Sequence, residues 1–174
     1  MIQKALALFL LLQLQIFGAN YNSTVIELEA KLFPKMILLS EDIDKNSPSL
    51  IIYILTQEED LDYANEFKEA IQTNYPDKLM GKTLHVFVKQ FDSEQKRPDA
   101  MIILYHPNEE LEKIALWANN KRIITLAYDP SYMNLGILAS IYLGVSTKPY
   151  LNSEIMKTYN FNFNPYLLEL SKFK

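Results

Sequence analysis

His85 and His106 are the only imidazoles of the chain, and there is no cysteine. Proton transfer by an imidazole near neutral pH must therefore rest on one of these two rings. His106 follows the apolar stretch Asp99 to Tyr105 and precedes Pro107-Asn108, where a helix is expected to open. In an open α/β sheet the carboxyl end of a strand is the edge at which ligands bind, which makes His106 the best single catalytic candidate. The plainer reading is a His-Pro pair capping a turn with its ring in solvent. His85 lies in the alternating segment Thr83 to Lys89, on the face shared with Thr83 and Phe87, and reads as a packing residue. The two rings stand on separate predicted strands with no Asp or Glu spaced as a further ligand, so no metal site is expected. No Gly-x-Ser-x-Gly elbow activates a serine. Asp99 and Asp129 fall at opposite ends of adjacent predicted strands and do not form an acid–base pair. Asp42-Ile43-Asp44-Lys45-Asn46-Ser47-Pro48 carries oxygen-bearing residues at alternate positions, as a calcium loop does. Ser47 stands where that loop needs Gly, however, and Tyr53 where it needs a bidentate Glu.

The elements that would position these residues come from a chain of 174 residues, 49% hydrophobic and 22% charged, with 17 Lys+Arg against 21 Asp+Glu. A net charge of -4 with no basic run beyond Gln95-Lys96-Arg97 leaves no footprint for a phosphate backbone, and nucleic acid is not an expected partner. Four glycines build neither a P-loop nor a dinucleotide fingerprint, so no cofactor is expected. Lys4, the apolar run Ala5 to Leu12 and the small residues at Gly18-Ala19 read as a signal peptide over 1–19. That run is shorter than the roughly 20 residues a membrane span needs, so no span is expected once the peptide is cleaved. Residues 20–174 are then one exported domain held together by packing alone.

Thr24-Val25-Ile26-Glu27 has the form of a capping box, followed by Val25, Leu28, Leu32, Met36 and Leu39 at helical spacing, with Pro34 expected to kink or divide the helix. Leu50 to Leu55 is a continuous apolar run, the pattern of a central strand covered on both faces. Thr56-Gln57-Glu58-Glu59 reads as a second capping box, with Leu61, Ala64, Phe67 and Ile71 on one stripe until Tyr75-Pro76. Strands at Thr83 to Lys89, Asp99 to Tyr105 and Arg122 to Ala127 alternate with a helix carrying Leu111, Ile114, Ala115 and Ala118. Gly136 to Leu143 and Val145 to Leu151 read as an antiparallel pair, and Asn152 and Asn164-Pro165 open two final helices, the last with Leu167, Leu168, Leu170 and Phe173 available to pack back onto the sheet. The expected fold is α/β: a single-domain layered sandwich, mostly parallel, with helices on both faces and an antiparallel C-terminal strand pair.

Eleven tyrosines and nine phenylalanines, concentrated at Tyr128, Tyr132, Tyr142, Tyr150, Tyr159, Phe161, Phe163 and Tyr166, suggest a contact surface. In this third of the chain Asp129, Gly136-Ile137-Leu138, Lys148-Pro149-Tyr150-Leu151-Asn152 and Pro165-Tyr166-Leu167-Leu168-Glu169-Leu170 resemble the YfiR-like periplasmic proteins. Glu29 to Ile37 matches that family's opening helix more loosely. The resemblance implies a non-catalytic periplasmic regulator that binds the outer part of an inner-membrane signalling protein, a diguanylate cyclase or a histidine kinase, and whose family members can form homodimers. It implies contact residues at Asp129, Lys148, Tyr150 and Asn152. The chain departs from the family in having no cysteine, a single glycine at Gly136, and Lys148-Pro149 where an arginine-bearing strand is usual. The alternative function is a periplasmic small-solute-binding protein feeding a transporter or sensor, since parallel α/β domains hold small molecules at their strand ends.

Overall fold

The computed structural model describes residues 21–174; the signal peptide expected over 1–19 lies outside the described residues. Helix α1 (Ser23–Leu38) leads into β1 (Ser49–Leu55), a 3-10 turn (Glu58–Asp60), α2 (Leu61–Asn74) and β2 (Thr83–Lys89). β3 (Ala100–Ile103), α3 (Asn108–Asn120) and β4 (Ile124–Ala127) follow. A second 3-10 segment (Pro130–Leu135) then leads to β5 (Ala139–Leu143), β6 (Thr147–Leu151), α4 (Ser153–Tyr159), α5 (Pro165–Leu170) and β7 (Lys172–Phe173).

The strands form one sheet in the order β2-β1-β3-β4-β5-β6-β7. Every pair from β2 to β5 is parallel, β5 and β6 are antiparallel, and β7 lies parallel to β6. This is the α/β architecture with an antiparallel C-terminal pair that the periodicity predicts. Alternation along the strands divides the core in two. Leu50, Ile52, Ile54, Ala100, Ile102, Ile124 and Leu126 meet Ile26, Phe33 and Ile37 of α1, Phe67 and Ile71 of α2, and Leu167 of α5. Tyr53, Leu55, Met101, Ile103 and Ala127 meet Leu111, Ile114, Ala115 and Ala118 of α3 on the other face.

Several local expectations are corrected. Asn22, not Thr24, caps α1, its side-chain oxygen accepting from the Thr24 N–H at 2.9 Å. The fully buried stripe runs through Ile26, Ala30, Phe33 and Ile37, one position on from the one predicted, and it carries Glu29 inside with it. Pro34 does not divide α1: only one ladder bond is forfeited near the C-terminal end, and the Leu39 N–H again reaches the Lys35 carbonyl at 3.1 Å. Thr56 is no cap either. It is wholly buried and its hydroxyl donates to the Gln57 carbonyl, while a 3-10 turn precedes α2.

β5 begins at Ala139 rather than Gly136. Asp129 caps the 3-10 segment through the Ser131 N–H at 2.8 Å, and Gly136 ends it in a left-handed conformation, φ 95°. His85 is exposed, because β2 is an edge strand whose outer face no helix covers. Phe173 is also exposed; α5 stops at Leu170 and Ser171 turns extended, so the last residues pair with β6 instead of packing inward. The segment read against a calcium loop is closed by the protein's own cation: buried Lys82 donates to the carbonyls of Asp44 at 2.7 Å, Lys45 at 3.3 Å and Ser47.

Candidate functional site

With β1 flanked by β2 on one side and β3 on the other, the chain leaves β1 in one direction and returns in the opposite one. The carboxyl ends of β1 and β3 therefore diverge into a crevice, the position at which doubly wound sheets bind ligands. Three connections meet at this edge: Thr56 to Asp60 after β1, Leu104 to Pro107 after β3, and Tyr128 to Pro130 after β4. The N-terminus of α1 and the end of β5 complete it. Beside that switch point a tyrosine-lined crevice of about 520 Å³ opens over the ends of β3, β4 and β5, inside the range that holds small ligands. Tyr21 and Val25 come from α1 and its approach, Leu104 and Tyr105 from the β3 end, Tyr128, Asp129, Pro130 and Tyr132 from the β4 end, and Leu143 from β5. Tyr105 also lines a smaller cavity of about 260 Å³ with Gln57, Glu59, Asp60 and Pro107.

The tyrosines are held by named contacts. The Tyr21 hydroxyl donates to Asp60 Oδ2 at 3.2 Å and accepts from the Tyr105 N–H at 2.7 Å, tying the approach to α1 to the ends of β1 and β3. The Tyr21 ring lies 4.5 Å from that of Tyr63 and 5.0 Å from that of Tyr128, centroid to centroid, both tilted. The Tyr128 hydroxyl accepts from the Asn22 N–H at 2.8 Å. Burial raises the pKa of Tyr21 and Tyr128 and pushes Tyr132 up to about 12, so these three remain neutral phenols in the physiological range. Burial also raises Asp60, against which its hydrogen bond from Tyr21 works.

Two titratable groups are buried in the layers adjoining the crevice. Glu29 is 1% exposed, Oε2 has no partner, and burial first, then the charge of Asp129, raises its carboxyl well above 4.5. His106 is likewise 1% exposed. Its Nδ1 faces the Leu104 carbonyl at 3.3 Å, Nε2 has no partner, and burial lowers its pKa, which favours the neutral ring. His106 is thus at the edge the sequence placed it on, though neither as a solvated cap nor among the residues lining the two cavities.

The four sequence-predicted contact residues do not come together. Asp129 lines the crevice, exposed, with Oδ1 engaged by the Ser131 N–H. Lys148 lines a different groove, beside Tyr142, Val145, Ser171 and Lys172. Tyr150 stands edge-on to Tyr142 at 6.0 Å, and the Lys172 ammonium sits 3.5 Å over the Tyr142 ring. Asn152 is buried and committed to the fold. It caps α4 by accepting from the Ile155 N–H at 3.3 Å and donates to the carbonyls of Met133 at 2.9 Å and Ile137 at 3.2 Å. A direct partner contact through Asn152 is accordingly corrected to a structural role.

The residues the sequence reading passed over are Tyr21, Tyr105, Glu29 and Asp60. Tyr105 and Tyr128 each follow an apolar strand run directly, a placement that was available as a signal for the carboxyl edge. Among the described residues no group of three His, Asp or Glu side chains is placed to hold a metal ion, and no helix is long and apolar enough to cross a membrane. The lining favours stacking, hydrogen bonding to phenols and charge attraction at Asp129.

No protein-family model matches the chain, and no curated protein matches it. Among solved structures it is similar to a conserved domain protein of Vibrio cholerae, with a TM-score of 0.56 and 10% identity over 85% of this chain and 59% of that one. It is also similar to an ABC domain from Streptococcus pneumonia in complex with L-Trp, with a TM-score of 0.54 and 11% identity over 83% of this chain and 61% of that one. The chain thus spans about three fifths of the length of both structures. At these identities the likeness establishes the α/β fold.

Proposed function

We propose that the protein is a non-catalytic small-solute-binding domain of the periplasm, passing occupancy of its crevice to a transporter or sensor. The observation that carries this reading is the tyrosine-lined cavity of about 520 Å³ at the carboxyl edge of the parallel strands. Its walls come from four separate stretches of chain, so a solute seated there would join the α1 approach to the ends of β3, β4 and β5. That the Streptococcus domain of the same fold holds a free amino acid supports the reading. The test is a thermal-shift and native mass-spectrometry screen of amino acids, amines and organic acids, L-Trp included, on wild type and Tyr132→Leu. A ligand at a hundred times its Kd adds about 2.7 kcal/mol to stability, a readily measured shift. At least one compound is expected to be retained by wild type and lost from the variant. An empty screen, or retention undiminished in Tyr132→Leu, would overturn the assignment.

A second reading is the YfiR-like one, a regulator docking on the periplasmic part of an inner-membrane cyclase or kinase. It is favoured by Tyr166, Leu170 and Phe173, which stand exposed along the last stretch of the chain. Cross-linking in intact cells distinguishes the two: capture of a cyclase or kinase through this stretch supports the regulator, whereas capture of transporter subunits supports the solute-binding domain.

A further inference from the structure

The crevice combines two features of different origin. Tyr21, Tyr105, Tyr128 and Tyr132 supply its aromatic walls, and Asp129 is the single ionisable carboxyl among its lining residues. No Lys, Arg or His lines it. Aromatic rings attract cations through the negative faces of their π systems, most strongly where water is partly excluded, and a carboxylate adds charge complementarity. An anion would meet the Asp129 carboxyl and find only phenol donors, of which the Tyr21 hydroxyl already gives its proton to Asp60.

The protein's other tyrosine pair makes the contrast. Tyr142 and Tyr150 are served by the chain's own ammonium, with Lys172 Nζ at 3.5 Å and 5.9 Å from the two ring centroids. Tyr53 and Trp117 likewise have Lys89 and Lys121 over them. Among the described residues no lysine or arginine occupies that place over the four crevice tyrosines. The aromatic walls and the carboxyl are present and the cation is not supplied from within the described chain.

We infer that the ligand of the tyrosine crevice is an organic cation, a primary amine or quaternary ammonium, with its charge seated between the aromatic rings and Asp129. This deepens the solute-binding reading and rests on it. Asp129 Oδ1 holds the Ser131 N–H, which leaves Oδ2 to face the bound charge. The volume is of the size that seats a small organic amine.

The experiment is calorimetric titration of the full chain with choline, with the uncharged isostere of choline in which a quaternary carbon replaces nitrogen, with phenethylamine and with phenylacetate. The same titrations are run on Asp129→Asn, which keeps the side-chain oxygen that caps the 3-10 segment, and on Tyr132→Phe and Tyr132→Leu. Saturable binding of choline or phenethylamine is expected, with at least tenfold weaker binding of the carbon isostere and of phenylacetate. Asp129→Asn and Tyr132→Leu are expected to weaken the cation about tenfold, and Tyr132→Phe to retain it. Equal binding of the isostere or of phenylacetate overturns the cation assignment and leaves the solute-binding reading standing. Absence of binding by both cations also overturns it, and only together with an empty broad screen does the solute-binding reading fall too.

Discussion

At the scale of single residues, the most informative side chain is one that no motif announces. Glu29 belongs to the buried stripe of α1, and an ionised carboxylate without a partner there would be costly. Its pKa in the fold is therefore raised above the ordinary 4.5, chiefly by burial and secondarily by Asp129. The sign of the linkage follows from that direction. Stability contributed by the protonated carboxyl is fully present below about 4.5 and is lost as pH rises toward the folded-state value. Glu29→Gln removes this dependence. Urea midpoints of the two proteins from acid to mildly alkaline pH are expected to diverge in favour of the variant as pH rises; a pH-independent difference would count against a buried, protonated Glu29. The same residue scale explains His106, whose type and position at a strand end are visible in the sequence. Its burial is not, and among the groups acting on its ring is Asp60, far away along the chain.

Among the elements, connections rather than helices and strands account for most departures from the local reading. Asn152 illustrates this. As a cap of α4 it was legible from the residue type alone, yet its amide also bridges β6 to the carbonyls of Met133, within the 3-10 segment, and Ile137, between that segment and β5. Asn152→Ala removes a cap and leaves the Ile137 carbonyl short of a donor, while the Met133 carbonyl keeps Lys174 Nζ and the Gly136 N–H, a loss of about 2–4 kcal/mol. Denaturant unfolding checks it: a variant as stable as wild type would contradict the bridging role. Lys82 closes the loop between α1 and β1 in a comparable way, placing an ammonium where the alternating oxygen-bearing residues alone suggest a metal. Turn segments of this kind carry weak local signals, since their hydrogen-bond partners are distant in sequence.

For the molecule as a whole, the sheet has a protected centre and two unlike edges. β1, β3 and β4 are covered on both faces, β2 exposes one face, and β7 contributes only Lys172 and Phe173. Native-state hydrogen exchange is expected to report global unfolding at Ile52, Ile54, Ile102 and Leu126 and local opening at Lys172 and Phe173. Central strands that exchange as readily as β7 would contradict this layering. The crevice lies at the carboxyl edge between the rigid centre and the connections, where a solute can meet both.

Periodicity, apolar runs and the asparagine caps at Asn152 and Asn164 determined the α/β class, the order of elements and the antiparallel β5–β6 pair, because these signals are local and the chain's helices and strands follow them. Tertiary structure alone decided which strand became an edge, which face of α1 was buried, and that Tyr21, Tyr105, Tyr128 and Tyr132 share one cavity. Those outcomes depend on strand order and on contacts such as the Tyr21 hydroxyl with the Tyr105 N–H, 84 positions apart. No local propensity encodes such a meeting; it arises when the sheet closes and burial selects one arrangement of the connections at its carboxyl edge.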